Sequence, residues 1–86
     1  GPIEPFVPDA GFARAAAEAL PEGAYDSSTW SLFTNAVKEK TGAKGKALFM
    51  PLRQALTGLD HGPEMAALFP LIGEVRARKR LMGQTA

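Results

Sequence analysis

Leu48, Leu52, Ala55, Leu56 and Leu59 fall at i, i+4, i+7, i+8 and i+11. That spacing sets them on one face of an α-helix, and such a face demands a core to bury it. Gly58 closes the pattern, because glycine takes the left-handed conformation at no steric cost. Asp60-His61-Gly62 follows as a short loop, and Pro63 suits the first position of another helix. Arg53 stands one residue after Leu52, about 100° round the helix, and so need not share the core face. A helix that presents an arginine beside a Gly-Pro loop is suited to a flat polar ligand such as a base. Pro51 falls inside the same pattern and predicts a kink, or the junction of a one-turn segment with the main helix.

The remaining segments supply partners for that face. Prolines at positions 2, 5 and 8 argue against regular structure in residues 1–8,. This stretch reads as a linker from an upstream domain, with Gly1-Pro2 a scar of tag removal. A chain that starts so, without Met, reads as a piece cut from a larger protein, with its helical domain over residues 9–86. Asp9 is a good N-cap for a first helix, which Pro21 ends. Phe12, Ala15, Ala16, Ala19 and Leu20 form its stripe. Ser27 or Ser28 caps a second helix running to about Thr41, with Trp30, Phe33 and Val37 at core spacing and Gly42 as the C′ residue. A fourth helix starts at Pro63 with Met65, Leu68, Phe69 and Ile72 as its stripe; Pro70 bends or ends it and Gly73 breaks it. A fifth, roughly 74–82, carries Arg76, Arg78, Lys79 and Arg80 with few apolar residues and is expected on the surface. Period-2 alternation is sustained nowhere, so the expected fold is all-α. It is a single compact bundle of about five helices, cored by Trp30, Phe33, Val37, Leu48, Leu52, Leu56, Leu68, Phe69 and Ile72.

Several function classes drop out. One histidine and no cysteine cannot build a catalytic histidine pair or a His/Cys metal cluster, so no catalytic residue, metal or cofactor is expected in this chain. His61 reads as a loop residue. No apolar run reaches the ~18 residues of a membrane span, which predicts a cytoplasmic, monomeric piece with no membrane partner. Thr41-Gly42-Ala43-Lys44-Gly45-Lys46 invites a phosphate-loop reading, but its spacing fails and no strand precedes it. Two lysines and exposed amides ahead of a helix still suit an RNA phosphate; a plain helix–helix connection is the alternative. Charge is unevenly spread. Of ten Lys and Arg, only Arg14 precedes Lys38, whereas five of nine acidic residues precede Ser27. A basic carboxy-terminal two thirds is compatible with a nucleic-acid partner.

From Trp30 to Leu81 the chain resembles the carboxy-terminal anticodon-binding domain of bacterial glutamyl-tRNA synthetase. The resemblance rests on Trp30 and Phe33, Thr41 to Lys46, Leu48-Phe49, Pro51-Leu52-Arg53, Ala55-Leu56-Thr57-Gly58, His61-Gly62-Pro63-Glu64, Ile72-Gly73 and Arg80-Leu81. It implies part of an α-helical cage over the anticodon loop of tRNA(Glu), a class I ligase as the parent enzyme, and ATP and Mg held in that parent's catalytic domain. The catalytic signatures of the family, His-Ile-Gly-His and Lys-Met-Ser-Lys-Ser, are missing here, so this piece does not activate glutamate. The resemblance implies that Arg53 contacts an anticodon base and that Gly62, Pro63 and Met65 line the first two. Lys44 and Lys46 are candidates for the RNA backbone. Where the family can carry threonine, this chain has Gly62, which removes a hydroxyl contact. The third base is read by a preceding subdomain outside this chain. Residues alone give other readings: Pro63 as a helix start, Met65 as core, Arg53 as a surface ion-pair former. Two further functions stay open, a helical protein-interaction module and a synthetase paralogue that also charges tRNA(Gln).

Overall fold

The computed structural model describes all 86 residues, Gly1 to Ala86. Four helices form: α1 Ala10–Glu18, α2 Thr29–Thr41, α3 Lys46–Thr57 and α4 Met65–Leu81. All-α architecture is as expected, but the count is four. The expected fourth and fifth helices are one element that passes through a non-helical residue, Gly73, at φ 79° and ψ 167°. The two halves meet at a kink where Gly73 breaks helical geometry, as the sequence predicts, and Arg76 donates to two carbonyls ahead of the break. Its Nε donates to the Ile72 carbonyl at 2.8 Å and its Nη2 to the Leu71 carbonyl at 2.6 Å. α4 begins at Met65 rather than Pro63, with Glu64 extended at its N-cap.

Local chemistry explains the other boundaries. Asp9 caps α1, accepting the Phe12 amide at 3.1 Å,. Ser28 sits at the N-cap of α2 without capping it. Asp26 orders that turn instead, its Oδ1 accepting from the Ser28 amide and hydroxyl at 2.9 and 2.7 Å. Gly42 and Gly58 end α2 and α3 in the left-handed conformation, as the sequence predicts. α3 runs through Pro51 as one helix, with no separate one-turn segment before it. Ala47, whose carbonyl loses its amide partner there, is exposed, so the loss falls on the solvent side of the helix.

Each helix packs against the other three. The core takes Ala16, Ala17 and Leu20 from the first helical segment, and Phe33 and Val37 from α2. Leu48, Leu52, Ala55 and Leu56 come from α3, and Met65, Phe69, Ile72, Ala77 and Leu81 from α4. Phe69 is its aromatic hub, with ring centroids 4.8 Å from Tyr25, 5.1 Å from Trp30 and 5.1 Å from Phe33. Trp30 and Leu68, expected inside, are half-buried at its edge. Leu59 is exposed, because Gly58 ends the helical periodicity one residue before it. The second half of α4 was expected on the surface, yet Ala77, Arg80 and Leu81 are buried. At i, i+3 and i+4 they form a short inner stripe. Arg80 Nη1 donates to the Leu56 carbonyl at 2.8 Å and its Nε to the Ala86 carbonyl at 3.0 Å. The guanidinium thus covers a carbonyl left over at the end of α3. Residues 1–8 have no helix or strand but lie against this end of the bundle. Ile3 and Ala86 exchange backbone hydrogen bonds at 2.8 and 3.2 Å, and the Phe6 amide donates to the Gln54 carbonyl at 3.0 Å.

Candidate nucleic-acid interface

The outer face of α3 and the loop after it make one surface. Thr57 starts the turn. Its Oγ1 donates to the Arg53 carbonyl at 2.7 Å and accepts the Leu59 amide at 3.1 Å. Gly58 then reverses the chain at φ 77°, its amide held by the Gln54 carbonyl at 2.9 Å. The loop folds back along α3 until Gly62 lies over Arg53. A Cβ built on Gly62 would stand 3.2 Å from Arg53 Nη1, and Gly62 itself is at φ 145°, a conformation that other residues rarely adopt,. Glycine is therefore what lets backbone lie this close to the guanidinium.

Arg53 is half-buried. Its Nη1 is shut off from solvent and has no hydrogen-bond partner. No carboxylate pairs with it: the ion pairs are Lys40–Glu18, Arg78–Glu74 and His61–Asp60. A buried charged donor left unpaired is costly. The ion-pair reading of Arg53 fails on the same observation.

Around Arg53 the loop is solvent-facing. Asp60, His61, Gly62 and Pro63 are all exposed. His61 Nδ1 lies 2.8 Å from Asp60 Oδ1. That hydrogen bond first, then the charge of His61 and more weakly that of Lys46, holds the Asp60 carboxyl below its ordinary range. Lys46 at the head of α3 and Lys44 in the preceding connection are both exposed. Met65 differs from its neighbours: at 5% exposed it belongs to the core. Little of it is left for a base to meet; it anchors the head of α4 behind Pro63. The structure thus sets Gly62 against Arg53, leaves Pro63, Lys44 and Lys46 exposed, and turns Met65 inward. One residue of this face the site reading passed over is Phe49, an exposed aromatic one turn before Arg53; its position at i−4 was the available signal.

No group of three or more His, Cys, Asp or Glu side chains is placed to hold a metal ion. No helix is long and apolar enough to cross a membrane.

Comparison with known proteins adds context to this geometry. A family model described as an anticodon-binding domain matches residues 11–84. Glutamate–tRNA ligase 1 of Parvibaculum lavamentivorans is 64% identical over 85 residues, covering 99% of this chain and 19% of that protein. Glutamate–tRNA ligase 2 of Methylorubrum populi is 59% identical over 86 residues, covering 100% of this chain and 19% of that protein. The glutamate–tRNA ligase of Azospirillum brasilense is 59% identical over 75 residues, 87% of this chain and 17% of that protein. The chain spans about a fifth of the length of these curated relatives. No solved structure matches it.

Proposed function

The chain belongs to the anticodon-binding domain family, and from that premise we propose that it holds the anticodon loop of tRNA(Glu) for a cytoplasmic glutamate–tRNA ligase of which it is one part. The catalytic region of that parent joins glutamate to tRNA with ATP and magnesium. Residues 9–86 are the binding unit, acting as a monomeric domain, and residues 1–8 connect it to what precedes.

One observation carries the reading: the half-buried Arg53 guanidinium, with no carboxylate partner, lies against Gly62 of the exposed loop. Single-stranded RNA loops are read through the edges and faces of splayed bases. A planar guanidinium donates two parallel hydrogen bonds to such an edge, which an ammonium cannot do. Gly62 and Pro63 present a flat, backbone-rich wall beside it, Met65 holds that wall from behind, and Lys44 and Lys46 meet the RNA backbone.

The test is a titration of the chain with the anticodon stem-loop of tRNA(Glu). Arg53→Lys keeps the charge and loses the fork. By analogy with bidentate base readout in DNA, worth on the order of 1–3 kcal/mol, it should weaken binding roughly tenfold or more. The loss should shrink for a loop altered at the contacted base. An unchanged preference between intact and altered loops would remove Arg53 as a reader. Equal binding of the tRNA(Gln) stem-loop would assign the parent to the synthetases that charge both tRNAs.

A further inference from the structure

Phe49 lies on α3 between Lys46 and Arg53, and the three fall within an arc of about 60° at 100° per residue. The core stripe Leu48, Leu52, Ala55 and Leu56 adjoins this arc, with Leu56 only about 20° from Phe49, so Phe49 stands at the border between the core and the polar face. Phe49 is 47% exposed. Its ring therefore leaves an aromatic surface open at that border. Residues at i and i+4 on a helix have Cβ atoms about 5–6 Å apart, so Phe49 and Arg53 are neighbours on the helix surface. The loop closes the same area. Gly62 would touch Arg53 Nη1 through a Cβ, and Lys46 is close enough to lower the Asp60 carboxyl.

These groups describe a ligand. It has a flat π face for the ring, acceptors on its edge for the half-buried, unpaired Arg53 guanidinium, and negative charge outside for Lys46. An acidic peptide satisfies the charges but leaves the ring unused. A base of single-stranded RNA with its phosphate satisfies all three, since every base offers a stacking face. We infer that Phe49 is the stacking platform for the base whose edge Arg53 meets. This rests on the anticodon-loop reading above and adds to it a second, face-on contact on the same nucleotide.

The experiment compares the chain with Phe49→Leu, Phe49→Trp and Arg53→Lys, each titrated with the tRNA(Glu) stem-loop and with loops made abasic at one position at a time. Circular dichroism verifies that each variant folds. Phe49→Leu keeps the bulk and removes the π face. It should weaken binding of the intact loop on the order of tenfold, whereas Phe49→Trp should bind at least as well as the parent. At one abasic position the effects of Phe49→Leu and Arg53→Lys should both vanish. The proposal is overturned if Phe49→Leu binds the intact loop as tightly as the parent. It is also overturned if its loss is the same for every abasic loop, or if it vanishes at a different position from that of Arg53→Lys. A parent chain that fails to bind the intact loop at all sinks the anticodon-loop reading and this proposal together. Binding that survives while only Phe49→Leu is silent sinks this proposal alone.

Discussion

Arg53 and Tyr25 both bring a polar group into partial burial, with opposite solutions. Arg53 leaves Nη1 unpaired at the edge of a binding face. Tyr25 is satisfied, its hydroxyl donating to the Pro21 carbonyl at 2.7 Å while its ring lies against Phe69. Burial, with the Glu74 carboxylate nearby and Arg78 opposing, pushes the Tyr25 phenol from its ordinary 10.0 up to about 12. Unfolded, the group loses its proton near pH 10; folded, it keeps it to about 12. Between those values the native state binds more protons, so stability falls as pH rises through that window and is unaffected by this group below it. Tyr25 is the sole tyrosine, so tyrosinate absorbance reports it alone. We expect its titration above pH 11, with a thermal midpoint that declines as pH passes 10. A tyrosine titrating near 10 would show that the ring is not held against Phe69 in solution.

At the scale of elements, α3 carries the site and the amino-terminal strap supports it. Phe6 is tied to Gln54, the residue after Arg53, and Glu4 crosses Gly58 so closely that a Cβ there would run into the Glu4 carbonyl. Backbone cannot yield as a flexible side chain does. Gly58→Ala therefore carries the left-handed penalty of about 1–2 kcal/mol and must also lift the strap. The thermal midpoint should fall, and the Phe6 amide should lose its protection from hydrogen exchange. Unchanged Phe6 protection would mean that α3 bends at its end and the strap stays in place.

For the whole molecule, one aromatic hub joins helices that are short on their own. Phe69 touches Tyr25, Trp30 and Phe33 at ring distances of 4.8–5.1 Å. Phe69→Ala should cost about 3–5 kcal/mol, against the ~5–15 kcal/mol that a domain commonly has. Much of the population should be unfolded near physiological temperature. Trp30→Ala should cost less, since Trp30 is half-buried at the rim of the cluster. Chemical denaturation of both variants gives the comparison; a larger loss for Trp30→Ala would displace Phe69 as the hub. The charge layout makes its own prediction. With Lys and Arg concentrated beyond residue 37, binding of an anticodon stem-loop should weaken steeply from low to physiological salt as counterions are released. Salt-independent affinity would point to a protein partner instead.

The sequence alone determined what depends on residues close together in the chain. The Leu48–Leu56 stripe required a helix with a buried face, Asp9 and the glycines at 42 and 58 set helix ends, and the absence of alternation excluded strands. The motif run from Trp30 to Leu81 pointed to the family, because ordered matches survive without coordinates. Tertiary structure decided what depends on residues far apart. Arg80 reads as a surface cation until the Leu56 and Ala86 carbonyls converge on it, 24 and 6 residues away. Met65 suits both a site and a core, and only the packing of α4 turned it inward. Gly73 breaks a helix locally, and Arg76 folds back to two carbonyls ahead of that break. Arg53 was legible as a candidate, but its unpaired Nη1 exists only because Gly58 sends the loop back over α3 and Gly62, lacking a Cβ, lets that loop close. Periodicity and capping are energies of neighbouring residues; burial and pairing are settled only when the whole chain has chosen which surfaces meet.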